Sequence, residues 1–409
     1  MGMIINIDQA LKQRTHYNVL REPLNAMLQN QQEAWEKKNP IDLLFARNTM
    51  STFQETYTSS IGFDHAFAET GDYAVGPIFN TAEGFSATYR TRTFQGGFII
   101  TQQTLEDGQV SRVKDDANAF MKRWHGDIVE YCMAAVGAGF GKKVTWGSDA
   151  NGGKSSLKLT SADTIDGDLE SAKNPLFTNA HTIVKREGMD ATQINAAKQS
   201  NCFYVDVDFT STTEDPVLKI AHAINEVITT MENYRDDNGK RAGVIGAKNI
   251  VAANNAHVKA AIETALASDM LGGMLNSAYK RATADYTPYL LDVPCCADGK
   301  GIFIIDHAYN KANHGLELTE RVPLTLDVEN STFPKGVRYG GRQRFDVNCA
   351  SWRGIAFLYL GDITAATGAS NWCTPANFTK ITTIPAIAKP VNVVNTVATK
   401  EEATEGAQS

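Results

Sequence analysis

One long amphipathic segment, near residues 109–137, constrains the fold of this chain more than any other stretch. Its apolar residues recur at spacings of three and four, which places them on one face of a helix. They are Val110, Val113, Ala117, Phe120, Trp124, Ile128, Tyr131 and Ala135, and the opposite face carries Arg112, Lys114, Asp115, Lys122, Arg123, Asp127 and Glu130. Such a helix spans about 40 Å, and Gly137, Gly139 and Gly141 predict its C-terminal end. Few single domains need a helix of this length, although an ordinary core helix is the alternative interpretation.

The preceding segment, residues 51–100, has the pattern of a two-stranded arm. Its second half alternates as a strand does, with Phe85, Ala87, Tyr89 and Thr91 between Ser86, Thr88, Arg90 and Arg92. Turn formers separate the two halves, namely Gly71, Gly76, Pro77 and Gly84. No lysine lies between Lys38 and Lys114. Because an isolated two-stranded arm is marginally stable in water, we expect it to pack on a neighbouring subunit. A hairpin folded back on its own domain is the alternative.

Composition narrows the class of protein. A chain of 409 residues with 43% hydrophobic content can form two or more domains with substantial cores. It contains no apolar run of about eighteen residues, and its start lacks a secretory pattern, so we expect a cytoplasmic protein that contacts no membrane. The formal charge of −7 disfavours a dedicated DNA reader. The six cysteines include no Cys-x-x-Cys pair, which predicts reduced, mostly buried thiols.

The rest of the chain reads as an α+β protein. Residues 1–47 predict a short helix ending before Pro40. In the middle of the chain, Asp215 and Pro216 predict a helix start. A strand near residues 244–252, a second helix around Ile262 and a strand at residues 302–305 follow. Alternating Phe345, Val347 and Cys349 and the apolar run 355–360 predict closing strands, and a polar tail ends the sequence.

Motifs of enzymes and cofactor sites are missing. Five residues separate Gly147 from the Gly-Lys-Ser at 153–155, one more than a phosphate-binding loop has. The glycines at 137–141 follow a helix, so they are no dinucleotide fingerprint. Adjacent Cys295 and Cys296 have no further ligands at a recognised spacing. We therefore predict no catalytic residue, no cofactor, no metal and no enzymatic activity.

The order of parts resembles the major capsid proteins of tailed bacteriophages, the Hong Kong 97 fold. Residues 98–107 look like the junction of that family's extended loop and spine helix. Residues 344–347 and 351–356 are similar to its closing strands, and residues 301–306 resemble a strand of its axial domain. The resemblance covers roughly residues 45–361.

The resemblance implies an α+β capsid fold with an N-terminal arm, extended β-hairpin loop, spine helix, peripheral domain and axial domain. The expected divisions are 1–50 for the N-terminal arm, 51–100 for the extended loop, 101–204 for the peripheral domain with its spine helix and a loop-rich insertion, 205–320 for the axial domain, 321–361 for closing strands of the peripheral domain, and 362–409 for a partly disordered C-terminal extension.

It also implies a function and partners. Hexamers and pentamers would tile an icosahedral head around double-stranded DNA, with which the subunit makes non-specific contact. The expected partners are copies of itself, a separate scaffolding protein, a portal and decoration proteins. The location would be the virion, after assembly in the host cytoplasm.

The expected subunit interface lies on the arm. Its residues are Glu69, Asp72, Glu83, Phe85, Tyr89, Arg90 and Arg92. Phe85 and Tyr89 would supply an apolar face, and the charged residues would set the register between the two subunits by pairing opposite charges. The family's namesake cross-links its subunits through a lysine of the extended loop. Because this arm has no lysine, we expect a shell without that covalent bond.

Three alternatives remain open at this point. An encapsulin-type compartment has the same architecture but packages an enzyme. A soluble hydrolase or transferase would assemble a site from distant residues such as Asp306, His307 and Arg344. A tail or adhesin component is disfavoured by the central helices.

Overall fold

The computed structural model describes the chain in segments. They are residues 17–63, 69–70, 72, 81–107, 110–141, 144–146, 155–157, 160–165, 173–181, 198–210, 215–236, 241–267, 270–271, 274–275, 281–332, 335–363 and 372–381. The predicted turns between the halves of the arm, the glycine-rich stretch at 147–154 and the tail beyond residue 381 lie outside these segments, apart from residues 69, 70 and 72.

Helices and strands alternate along the described residues, which confirms the predicted α+β class. The α-helices are α1 (Tyr17–Glu36), α2 (Gln102–Glu106), α3 (Val110–Gly137), α4 (Pro216–Glu232), α5 (Ala256–Ala267) and α6 (His307–Ala312). The strands are β1 (Ala46–Thr49), β2 (Gln54–Phe63), β3 (Thr81–Arg90), β4 (Arg92–Thr101), β5 (Val144–Trp146), β6 (Ser155–Leu157), β7 (Thr160–Ile165), β8 (Lys173–Pro175), β9 (Cys202–Val205), β10 (Lys248–Ala253), β11 (Met270–Leu271), β12 (Met274–Leu275), β13 (Ala282–Thr287), β14 (Gly301–Ile305), β15 (Leu316–Thr332), β16 (Lys335–Cys349), β17 (Ile355–Leu360) and β18 (Thr379–Lys380).

A mixed six-stranded sheet, in the order β13-β10-β14-β17-β9-β18, carries the larger core. Its antiparallel central strands, β14 and β17, are buried at every residue, so both of their faces are covered. Helices α4 and α5 pack against each other and against this sheet. The predicted start of α4 is confirmed, because the Asp215 side chain accepts a hydrogen bond from the Val217 N–H at 3.0 Å.

The long predicted helix is confirmed as α3, and its C-terminal end joins the six-stranded sheet. After Gly137 the chain makes one 3₁₀ turn and then reverses at Gly141, whose φ of 83° suits glycine. This turn places the Phe140 ring 4.8 Å from Phe357 on β17 and 4.6 Å from Phe177. The helix is therefore anchored to the core at this end.

A four-stranded sheet, in the order β1-β15-β16-β4, packs along α3. Val113 and Ala117 of the predicted apolar stripe are buried with Ile100, Val337 and Tyr339 of the sheet. Gly96 and Gly341 leave room for Trp124, whose ring would lie 3.2 Å and 3.4 Å from a Cβ at those positions. The predicted buried face of the helix is confirmed.

Helix α1 lies along α3, so the N-terminal segment is docked on the long helix. The Trp35 ring stacks on the His125 ring at 4.6 Å, and Gln32 Oε1 lies 2.7 Å from His125 Nε2. Gln31 also donates a hydrogen bond to Asn118. Burial lowers the pKa of His125 to about 4.

Strands β2 and β3 form the arm, a two-stranded sheet of their own. Their register runs from Gln54↔Arg90 to Phe63↔Thr81, which is about 30 Å at ~3.3 Å per residue. Within the described chain, β3 also lies beside β7.

The arm is shorter than the sequence predicted, because residues 92–101 belong to the body. They form β4, which pairs with β16 from Arg92↔Phe345 to Thr101↔Gly336. The buried positions change from odd to even residue numbers at this junction, from Ala87, Tyr89 and Thr91 in the arm to Phe94, Phe98 and Ile100 in β4. This shift marks where the chain leaves one sheet and enters another, and the prediction of a single arm did not use it.

Two C-terminal segments also differ from the predicted divisions. Strand β17, expected among closing strands of the peripheral domain, lies between β14 and β9 in the six-stranded sheet. Part of the expected extension is ordered in the same core, since β18 pairs with β9 and Trp372 lies 5.1 Å from Phe140. A continuous apolar run such as 355–360 requires cover on both faces, and the six-stranded sheet supplies it, since every residue of β17 is buried there.

Candidate subunit-interface surfaces

The arm is attached to its own body at its root. A small cluster of Met50, Tyr57, Ala87, Tyr89 and Ala350 is buried there, with Tyr57 partly exposed. The Tyr57 and Tyr89 rings lie 4.9 Å apart, and the Tyr89 hydroxyl donates to a backbone carbonyl, that of His314, at 3.3 Å. The root is therefore a packed joint, made by residues of both arm strands and of the body.

A buried carboxylate, Glu317, lies beneath this joint. It is 2% exposed, and Asn48 Nδ2 donates to its Oε2 at 3.3 Å. His314 Nδ1 lies 3.4 Å from Oε1, and the His314 ring packs on Tyr57 at 4.0 Å. Burial raises the pKa of Glu317 and, with the Glu55 carboxylate, raises the pKa of Tyr57 to about 12. These contacts fix where the arm leaves the body.

Three of the predicted interface residues are engaged inside their own subunit. Tyr89 is 2% exposed, Arg90 Nε donates to Gln54 Oε1 at 2.9 Å, and Arg92 Nε lies 3.2 Å from Asp346 Oδ2. Tyr89 is therefore covered by its own body, because strand alternation shows which residues share a face but not which face the body covers. Arg90 and Arg92 are exposed, and their interface role stays a prediction.

The other four predicted residues lie further out on the arm. Glu69 and Asp72 are exposed. Glu83 pairs through its backbone with Ser60 in the arm ladder; Phe85 lies on the same strand, and the side chains of both are outside the described part. The interface role of these four residues stays a prediction.

The four-stranded sheet has a second face, which points away from α3. Register and alternation place Arg338, Arg342 and Arg344 of β16 together on this open face. Arg338 and Arg342 are exposed, and in the described part of the chain neither forms an ion pair. The Arg344 guanidinium lies 5.6 Å from the Phe53 ring, and its buried Nε has no hydrogen-bond acceptor among the described atoms.

Two glycine residues form the centre of this open face. Gly340 pairs with Gly97 of β4, and a Cβ added at Gly340 would meet only one atom within 4 Å, a carbonyl oxygen at 3.9 Å. Neighbouring Gln95 and Thr93 are exposed. Sequence reasoning missed this surface, although three arginines at even spacing in one strand were a usable signal.

The residues considered for a catalytic site have structural roles or lie apart. Asp306 is fully buried, where Lys248 Nζ donates to its Oδ2 at 2.8 Å and the Tyr309 N–H to its Oδ1 at 2.9 Å. It caps α6, which begins at His307, whereas Arg344 lies on the four-stranded sheet. Among the described residues no group of three metal-ligating side chains comes together. All six cysteines are free and buried, as predicted.

Comparison with known proteins gave matches to solved structures alone. No protein-family model matches the chain, and no curated protein matches it. The capsid of Myoviridae phage XM1 is similar at 12% identity and a TM-score of 0.41, over 77% of this chain and 89% of that one. The mature capsid of bacteriophage PhiM1 gives 9% and 0.43, over 78% and 87%. Mycobacterium phage Patience gives 11% and 0.43, over 87% and 91%.

None of the helices in the described part of the chain is both long and apolar enough to cross a membrane.

Proposed function

We propose that this chain is a structural major capsid protein, a shell subunit that assembles into hexamers and pentamers of an icosahedral phage head around double-stranded DNA. The proposal joins the resemblance noted in the sequence to the architecture of the described residues. The parts occur in the expected order, with the N-terminal segment, hairpin arm, long helix, central α+β unit and strand-rich return.

One observation carries the proposal. The arm is a two-stranded sheet whose ladder spans about 30 Å; in the described chain its strands pair with no other strand, and β3 lies beside β7. A ribbon of two strands is marginally stable in water, and the body packs on its root. In a closed, symmetric assembly, every arm has a second copy of the same chain beside it as a possible partner.

The rest of the chain fits a subunit that bears mechanical load. Helix α3 packs on the four-stranded sheet through Trp124, and the 3₁₀ turn that follows the helix places Phe140 on the six-stranded sheet. The helix and this turn therefore connect the two sheets. Among the described residues, Lys248 and Asp306 form a buried ion pair that joins two parts of the core, which is consistent with a structural protein.

The finer assignments belong to the same proposal. A separate scaffolding protein, a portal and decoration proteins would act with the subunit, which would contact packaged DNA without sequence preference. Assembly would occur in the host cytoplasm and the product would be the virion. The proposed divisions follow the sequence, except that the arm is bounded by β2 and β3 and that β17 and β18 belong to the six-stranded sheet.

The proposal is tested by electron microscopy and sedimentation of the purified chain, with and without the products of neighbouring genes. Closed shells of uniform diameter are expected, and a small oligomer at every concentration would contradict the proposal. Nucleic acid inside particles from infected cells supports a phage head, whereas a packaged enzyme would support the encapsulin-type alternative.

The composition of the arm also predicts that non-covalent contacts hold the shell together. Because it has no lysine between Lys38 and Lys114, particles boiled in denaturant should give a single band near the 44.6 kDa subunit. A ladder of covalent oligomers would contradict this prediction.

A further inference from the structure

We propose that Glu317 and His314 form a one-proton switch at the root of the arm. When the pair holds a proton between its two side chains, the joint is closed and the arm is held; without that proton, the joint opens and the arm is released. The inference goes beyond the proposed function, because it concerns the single chain and does not require assembly.

The first argument is that Glu317 is a buried carboxylate with few donors. It is 2% exposed, and its Oε1 has no hydrogen-bond partner among the described atoms. Its Oε2 accepts from Asn48 Nδ2 at 3.3 Å, which is longer than most hydrogen bonds of this kind. Burial without sufficient donors disfavours the charged carboxylate and raises the pKa of Glu317. The closed joint therefore favours the protonated pair.

The second argument is that His314 presents the matching atom. Its buried Nδ1 lies 3.4 Å from Glu317 Oε1, and it also has no hydrogen-bond partner among the described atoms. The separation is too long for an ordinary hydrogen bond between these groups. One proton taken from water supplies the donor that the pair lacks, whichever of the two atoms carries it. The two side chains can then approach to hydrogen-bond distance.

The third argument is that the arm is fastened to His314 itself. This residue has left-handed backbone, with a φ of 49°, which is uncommon for a residue other than glycine. Its carbonyl oxygen accepts from the Ala350 N–H at 2.9 Å, the Ser351 N–H at 3.2 Å and the Tyr89 hydroxyl at 3.3 Å. Its ring packs on Tyr57 at 4.0 Å. Both arm strands therefore contact the residue that shares the proton.

Other titratable groups surround the pair on every element that packs against it. They are Tyr57 and Glu55 of β2, Tyr89 of β3, Cys349 and Asp346 of β16, and His307 and Lys311 of α6. The Tyr57 hydroxyl donates to Glu55 Oε2 at 2.9 Å and, with its pKa at about 12, keeps its proton.

Asp346 is the closest rival to Glu317, because it lies on the same face of the β15–β16 ladder and burial raises its pKa as well. Its oxygens, however, have donors. Tyr131 and the Val347 N–H donate to Oδ1 at 2.5 Å and 2.8 Å, and Arg92 Nε donates to Oδ2 at 3.2 Å. The unmet acceptor at the root of the arm is therefore that of Glu317.

The direction of the switch follows from the sign of the shift. Because the pKa of Glu317 is raised in the closed joint, the support that protonation gives is fully present below the unfolded pKa of a carboxyl group. This support is lost as pH rises through the raised value. The arm is therefore held in acid and released as pH rises.

The test is hydrogen exchange of the full-length, unassembled chain at pH 5 and pH 8, with rates corrected for the intrinsic effect of pH. Protection of the amides around Tyr57 and Tyr89 should fall by about threefold or more between the two pH values. In Glu317→Gln, which is neutral at both, protection should stay constant. The matched control, Glu329→Gln at an exposed position of the same strand, should keep the wild-type fall.

A distance measurement tests the switch without altering Glu317. Spin labels on Asp72→Cys of the arm and Lys122→Cys of α3 can be attached selectively, because both positions are exposed and the six native cysteines are buried. The distance distribution should be narrow at pH 5 and broad at pH 8. Docking of α1 should be retained over this range, because the pKa of His125 is about 4.

Equal protection of the root at pH 5 and pH 8, or one distance distribution at both, would overturn the inference. A pH-dependent fall that persists in Glu317→Gln would also overturn it, because another group, such as Asp346, would then carry the proton. None of these results depends on whether the chain forms shells, so failure of the inference and failure of the proposed function are separate outcomes.

Discussion

Replacement of Trp124 by alanine should destabilise the subunit by about 3–5 kcal/mol, the range for removal of a large buried aromatic side chain. Trp124 is 9% exposed and lies between α3 and the four-stranded sheet, where its ring fits over Gly96 and Gly341. The side chains of Phe120 and Leu324 also lie at Gly341, so their rearrangement into the space that alanine would leave sets where the loss falls within this range.

A polar contribution adds to this loss. Trp124 Nε1 donates to Gln343 Oε1 at 3.2 Å, and Gln343 Nε2 donates in turn to Glu320 Oε1 at 2.7 Å. Gln343 is buried, so alanine would leave its carbonyl oxygen without this donor, at a cost of about 1–3 kcal/mol. Part of this cost is already included in the measured range for large-to-small substitutions.

The assay is urea unfolding of the unassembled subunit, followed by circular dichroism. Trp124→Phe is the matched control, because it keeps most of the ring and removes the indole N–H. We expect this variant to lose about 1–3 kcal/mol of unfolding free energy. Arg123→Ala, on the exposed side of the same helix, should change stability by about 0.5 kcal/mol or less. A loss below about 1 kcal/mol for Trp124→Ala would refute the proposed packing of α3 on the sheet.

Two further predictions concern α1 and the buried ion pair. Burial lowers the pKa of His125 to about 4, so the neutral imidazole supports docking of α1. The stability that this docking contributes is present above the unfolded pKa and is lost as pH falls from about 6.5 to about 4; the loss should be about 1 kcal/mol after solvent screening. In His125→Phe, the plot of unfolding free energy against pH should lack this decrease. An unchanged curve in that variant would contradict the assignment. Lys248→Met should cost about 3–5 kcal/mol in urea unfolding, because it leaves the Asp306 carboxylate buried without its partner. The double variant with Asp306→Asn should recover part of this loss, and equal stability of single variant and wild type would show that water reaches the site.

Local signals in the sequence were sufficient for α3 and α4. The apolar stripe of α3 and the Asp215-Pro216 start of α4 both depend on neighbouring residues, and both are confirmed. The glycines at the end of α3 predicted its end because left-handed backbone at Gly141 is a local requirement.

Strand partners were harder to predict, because pairing joins residues far apart in the chain. β4 also alternates, with its buried side chains at even rather than odd positions, and it pairs with β16, more than two hundred residues later. The apolar run of β17 predicted a buried strand but not its sheet. For the candidate interface, the sequence identified charged residues of the arm and missed that Arg92 pairs with Asp346, because side-chain partners within a fold leave no local pattern.

The most direct test of the central claim is amide hydrogen exchange of β2 and β3, compared between the dilute unassembled subunit and the assembled shell. An arm that is stabilised by a second copy should exchange quickly in the subunit, apart from the root near Tyr57 and Tyr89, and slowly in the shell. Equal, strong protection of the whole arm in the dilute subunit would show that the arm is stabilised by its own chain and would contradict the account.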